Sequence, residues 1–124
     1  MNSALLIQCS AWLLVLTAAG GLVMAFIRFG REGKNPPSWL AMLHGFLAAA
    51  GVTLLAFAGL SSGMPGTAWA GLVLLLLAAG GGVIMNLGYH VQAEPLPKWL
   101  VGVHSILALV GVVLVVLAAR GMKL

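Results

Sequence analysis

Long apolar stretches alternate with short polar breaks along the whole chain. A membrane-spanning helix needs about 20 mostly apolar residues, and four stretches are that long. They are residues 4–27, 39–60, 67–87 and 99–119. Because the breaks between them are short, consecutive helices must run antiparallel. The pattern predicts an all-α protein, an integral membrane four-helix up-and-down bundle that forms a single transmembrane domain over residues 1–124.

The composition excludes several classes of function. Hydrophobic residues make up 62% of the 124 residues and charged residues 6%, far from the balance of a soluble domain. The chain has six Lys and Arg residues and two acidic residues. This excess of positive charge is too small and too scattered to indicate nucleic-acid binding. The single cysteine, Cys9, cannot close an intrachain disulfide. With so few acids available for acid–base chemistry, we expect no catalytic residues.

The basic residues suggest an orientation in the membrane. The first apolar stretch has no basic residue before it and Arg28 directly after it, so we expect a retained helix rather than a cleaved signal. Four basic residues fall in the breaks 28–38 and 88–98, and two follow the last helix. They are Arg28, Arg31, Lys34 and Lys98 against Arg120 and Lys123. The positive-inside rule then predicts cytoplasmic loops and both termini outside, in a bacterial inner membrane.

The chain contains an internal duplication. A shift of 60 residues places PSWLAMLHGFLAAAGVTL (37–54) on PKWLVGVHSILALVGVVL (97–114). Between residues 14–59 and 74–119, 17 of 46 aligned positions are identical without a gap. This predicts two tandem two-helix repeats, approximately 4–60 and 67–120. Since each unit crosses the membrane twice, the units should be related by a pseudo-twofold axis along the membrane normal.

The duplication preserves histidine on two helices and glycine on the other two. His44 and His104 lie at equivalent positions of helices two and four. An ionisable side chain within the membrane is costly and normally faces the bundle interior. We therefore expect the two imidazoles to meet at one depth. Helices one and three carry side-chain-free patches at the same depth, namely Gly20 and Gly21 on one and Gly80, Gly81 and Gly82 on the other.

This arrangement resembles the transmembrane b-type cytochromes, including cytochrome b of the quinol–cytochrome c oxidoreductases. In that family the haem ligands are histidines on the second and fourth helices, and glycines on the first and third admit the porphyrin. The resemblance implies that His44 and His104 are axial ligands of a haem b iron, and that the five glycines are cofactor-binding. One difference is that the family holds two haems, whereas a second histidine pair is missing from this sequence.

A single haem cannot carry an electron across the membrane alone. We therefore expect an electron-transfer subunit rather than a stand-alone enzyme, exchanging electrons with quinone or a partner redox protein inside a larger membrane complex. Membrane lipids are the other expected partners. His90 is an interfacial residue that could also contact a haem propionate or a quinone headgroup, and Arg28 is a headgroup-binding charge that could also pair with a propionate.

Other interpretations stay open at this point. Membrane histidines can stabilise packing or relay protons, and glycines can serve close helix contact alone. The protein would then be a cofactor-free accessory subunit of a respiratory or photosynthetic complex. Met24 and Met85 could supply sulfur to copper, but they stand one position apart in the repeat alignment, and zinc would lack carboxylate or thiolate ligands. A transporter is disfavoured because the helices carry no Asp, Glu or Lys in their interiors.

Overall fold

The computed structural model describes residues 2–30 and 32–122, and it confirms the predicted all-α membrane bundle. Four long helices account for most of these residues: α1 (Ser3–Phe29), α2 (Ser38–Ser62), α3 (Gly66–Met85) and α4 (Lys98–Arg120). The third helix continues through one π-helical turn, Asn86–His90. With that turn included, all four are long and apolar enough to cross a membrane. Each helix begins one residue earlier than the hydropathy pattern predicted.

Proline and asparagine set where the helices begin. Pro37, Pro65 and Pro97 immediately precede α2, α3 and α4. A proline has no N–H to leave unpaired, and its carbonyl is still free to accept the first helical hydrogen bonds. The first helix is capped differently, because the Asn2 side chain accepts a hydrogen bond from Leu5 N at 2.8 Å.

The helices form a closed ring in chain order. α1 packs most extensively along α2, and α3 packs equally closely along α4. A further contact between α1 and α4 closes the ring, whereas α2 and α3 touch only lightly. This order makes α2 and α4 diagonal neighbours, as an up-and-down bundle requires.

The main hydrophobic core cluster lies in one half of the bundle. Thirteen buried residues form it, and all lie toward the end that holds the α2–α3 turn. They are Leu6, Ile7, Ala11, Leu14, Leu55, Ala58, Ala68, Leu72, Leu75, Val112, Val115, Ala118 and Ala119. In the other half, none of the described residues 18–30, 38–50 and 79–90 is buried. The buried side chains of this half include Leu96, Leu100 and Val101. The interior of this second half is the layer that holds the histidines.

Candidate functional site

His44 and His104 meet at the centre of the loosely packed half. Their ring centroids are 6.2 Å apart and the ring planes are inclined by 65°, an edge-to-face arrangement. Because the two side chains come from the diagonal helices α2 and α4, they span the interior of the bundle. Both residues are half-buried. The structure thus brings together the two histidines that the sequence placed at equivalent positions.

Each imidazole is held by a backbone carbonyl of the neighbouring helix. His44 Nδ1 lies 2.9 Å from Thr17 O on α1, and His104 Nδ1 lies 2.7 Å from Ala78 O on α3. A carbonyl oxygen can only accept, so each Nδ1 must carry a proton and donate it. In the neutral ring, Nε2 is then left with a free lone pair. Histidines that bind metals are oriented by this kind of Nδ1–H hydrogen bond.

A glycine lies beside the imidazole in each of these hydrogen bonds. A Cβ atom added at Gly21 would lie 2.9 Å from His44 Cε1, and one added at Gly82 would lie 3.4 Å from His104 Cε1. Each glycine stands four residues after the residue whose carbonyl accepts the bond, Thr17 or Ala78. A Cβ at position 21 would push the His44 ring away, whereas one at position 82 would just touch the His104 ring. Gly21 and Gly82 therefore admit the imidazoles to the backbone of α1 and α3.

The remaining glycines of the two patches are placed differently. A Cβ at Gly81 would lie 3.8 Å from His104 Nδ1, an ordinary van der Waals contact. Added Cβ atoms at Gly20 and Gly80 would meet nothing within 4 Å. Of the five glycines singled out in the sequence, the structure therefore brings Gly21, Gly81 and Gly82 to the imidazoles and leaves Gly20 and Gly80 away from them.

The contacts between helices reveal a one-residue shift between the two repeats. His44 corresponds to His104, and Gly51 to Gly111, at a spacing of 60. Their partners on α1 and α3 correspond at a spacing of 61: Gly21 with Gly82, Thr17 with Ala78, and Leu14 with Leu75. The gap-free alignment at 60 is therefore one residue off for α1 and α3. The shift is taken up in the connecting loop, which is 30–37 in the first unit and one residue shorter, 91–97, in the second.

The corrected spacing also makes Met24 and Met85 equivalent. Each stands three residues beyond the glycine that contacts an imidazole, Gly21 or Gly82, and each is half-buried. Three residues along a helix return to nearly the same face, one turn nearer the connecting loops. Nevertheless, the described part of the chain contains no group of three or more His, Cys, Asp or Glu side chains that could hold a metal ion. The donors in this layer are imidazole and thioether only.

At the end of the bundle nearer the histidines, side-chain hydrogen bonds join the two connecting loops. We call this set of hydrogen bonds the loop clasp. Asn35 Nδ2 donates to Glu94 O at 2.7 Å, and Asn35 Oδ1 accepts from Leu96 N at 3.0 Å. Arg28 Nε donates to Leu96 O at 2.8 Å. His90 Nε2 lies 2.8 Å from Pro36 O, which makes it the donor in this pair. The clasp joins the repeats at the end of the bundle that lacks the hydrophobic core.

The loop clasp assigns structural partners to residues that the sequence left ambiguous. Arg28 and His90 were expected at the interface, and the structure gives both of them backbone carbonyls as partners, including Gly33 O for Arg28 Nη1 at 2.8 Å. Asn35 was missed by the sequence reasoning. An asparagine directly before Pro36 is the type of residue that bonds loop backbone, and this was the available signal.

No protein-family model, curated protein or solved structure matches this chain. The fold and the site define a four-helix membrane protein whose loosely packed half holds two imidazoles with matched orientation and matched backbone partners.

Proposed function

We propose that the protein is a small membrane b-type cytochrome subunit that binds one haem b through His44 and His104. The observation that carries this proposal is the pairing of the two rings across the bundle, each with its Nδ1 bonded to a carbonyl. That pattern leaves one Nε2 lone pair on each of two facing helices. Two neutral imidazoles are a standard axial ligand set for haem iron.

The separation of the rings fits a shared metal ion. If His44 and His104 held one metal ion between them, their two coordinating nitrogens would be about 4 Å apart and each ring centroid about 1 Å farther out. The expected centroid separation is therefore about 6 Å, by the same bond lengths. The observed value is 6.2 Å.

The packing of this half of the bundle also supports the proposal. The core cluster ends before the histidine layer, and the described helical residues 38–50 of α2 include none that is buried. α2 and α3 touch only lightly, so their separation can adjust without breaking a packed core. A flat macrocycle would need that freedom.

The bound group would supply reversible one-electron chemistry at its iron. The protein's own residues would set its behaviour in two ways. The carbonyls of Thr17 and Ala78 hold the ligand rings in one tautomer and one orientation. Leu40 and Leu100 lie on the faces of α2 and α4 next to the histidines. Such apolar side chains would exclude water and raise the free-energy cost of placing a net charge at the site.

The exchange partner would be quinone or a redox protein, and the subunit would belong to a larger electron-transfer complex. We place it in a bacterial inner membrane with the clasped loops in the cytoplasm and both termini outside. The excess of basic residues on the loop side supports this orientation. Two of the residues counted for it, Arg31 and Lys123, lie outside the described residues.

The proposal is tested by a reduced-minus-oxidised absorbance spectrum of the purified full-length protein, together with iron and copper analysis of the same sample. We expect a redox-sensitive Soret band and one haem per chain. His44→Ala and His104→Ala should each abolish the low-spin bands, whereas His90→Ala should retain them because His90 bonds Pro36 O in the loop clasp. Absence of the bands in the wild-type protein would overturn the proposal, and copper in place of iron would assign the layer to a different metal.

A cofactor-free accessory subunit is the second candidate. It is favoured by the fact that both histidines already have backbone partners, so they could act as packing elements alone. In that case His44→Ala would lower stability or assembly of a membrane complex without changing any absorbance. The same purified variants separate the two functions.

A further inference from the structure

A groove lies between α1 and α4 at the end of the bundle away from the histidines. Its volume is about 380 Å³, within the range of sites that hold small ligands. Trp12 and Val15 of α1 and Val116 of α4 form its apolar wall, and Gln8 and Arg120 lie nearest the helix ends. The side chain of Trp12 is 73% exposed, so the wall faces the surroundings of the bundle rather than its core.

The groove combines apolar length with one positive charge. Arg120 is the last residue of α4, which places it at the depth of the lipid headgroups, and it is exposed. The two acidic side chains of the sequence, Glu32 and Glu94, lie in the connecting loops at the opposite end. No acidic side chain of this chain can therefore neutralise Arg120. At that depth, the abundant anion is the phosphate of a lipid.

We infer that this groove binds an anionic phospholipid, with its phosphate at Arg120 and an acyl chain along Trp12 and Val116. Gln8 adds a polar side chain beside the headgroup position, where its Nε2 is 3.4 Å from Met122 O. A quinone could occupy the apolar part of the groove, but it is neutral and would supply no negative charge to the arginine. A basic side chain at the headgroup level attracts anionic lipid for this electrostatic reason.

The test uses the fluorescence of Trp12 as a reporter of what occupies the groove. Trp39, Trp69 and Trp99 are replaced by Phe in the full-length protein, which is then reconstituted in phosphatidylcholine vesicles. A small fraction of the lipid is exchanged for phosphatidylglycerol with brominated acyl chains, or for brominated phosphatidylcholine as the reference. Bromine quenches only on contact, so preferential binding appears as excess quenching at equal mole fraction.

We expect brominated phosphatidylglycerol to bind beside Trp12 about fivefold more strongly than the reference, the effect of about one basic side chain near an anionic lipid. Arg120→Gln should abolish the preference, Arg120→Lys should keep it, and the matched control Lys98→Gln at the opposite end should leave it unchanged. Equal quenching by both lipids, or a preference that survives Arg120→Gln, would overturn the inference. Arg120-dependent quenching by a short-chain quinone without any preference for phosphatidylglycerol would assign the groove to quinone instead.

Discussion

Gly21 lies directly against the imidazole of His44, so close that a Cβ atom at position 21 would be 2.9 Å from Cε1. This contact explains why a side-chain-free residue recurs beside each histidine. The ring reaches the carbonyl of Thr17 only because the backbone of α1 is bare one turn later. Helix α1 therefore does more than fill space, because it sets the tautomer and orientation of a residue on α2.

The first prediction is that Gly21→Ala lowers the free energy of unfolding by about 1–3 kcal/mol, the usual cost of an overpacked contact. The added methyl group must displace the His44 ring and weaken its hydrogen bond to Thr17 O. Denaturant titration of the purified protein in mild detergent measures the change. Gly20→Ala is the matched control, since its Cβ meets nothing within 4 Å and alanine gains up to about 1 kcal/mol of helix propensity. Equal stability of the two variants would contradict the proposed contact.

The second prediction distinguishes the two possible registers of the repeats. If Gly82 is the counterpart of Gly21, the Gly82→Ala protein should be less stable than the Gly81→Ala protein, because the two Cβ atoms would lie 3.4 Å and 3.8 Å from the His104 ring. Both effects should be smaller than that of Gly21→Ala. The same titration applies. A larger effect at Gly81 would restore the gap-free alignment of the repeats.

The third prediction concerns the loop clasp. Asn35→Ala removes the hydrogen bonds to Glu94 O and Leu96 N, and we expect a loss of about 1–3 kcal/mol, mainly because the partly buried Leu96 N is left unpaired. Amide hydrogen exchange should also become faster at residue 96. The control is Lys34→Ala in the same loop, whose ion pair with Glu32 is exposed and should contribute less than about 1 kcal/mol. Unchanged exchange in the Asn35 variant would show that the clasp does not hold the loops.

The fourth prediction concerns which parts of the chain share a side of the membrane. In a Cys9→Ala background, single cysteines at Lys34 and Gln92 should react with an impermeant maleimide from the same side, and a cysteine at Ser62 from the opposite side. All three positions are exposed. With cytoplasmic loops, the first two should be labelled only in inverted inner-membrane vesicles. Labelling of the loop positions in right-side-out vesicles would show that the orientation is the opposite of the one proposed.

The number and extent of the helices could be predicted from the sequence because membrane insertion depends on local apolar length. The equivalence of His44 and His104 could also be predicted, since both follow a Pro-x-Trp-Leu entry at the same interval. These features depend on residues close together in the chain. The contact of the two rings across the bundle then follows from the expected order of the helices, and the structure brings those rings together.

The register of α1 and α3 was decided only by the tertiary structure. Residues 13–24 share seven identities with 73–84 and seven with 74–85, so sequence identity alone does not distinguish the two registers. What selects the second register is the packing of Gly82 and Leu75 against α4, together with a connecting loop one residue shorter. The loop clasp, centred on Asn35, likewise joins residues about 60 positions apart. The sequence determined where the helices and their histidines lie, whereas steric contact between distant segments decided how the helices fit against one another.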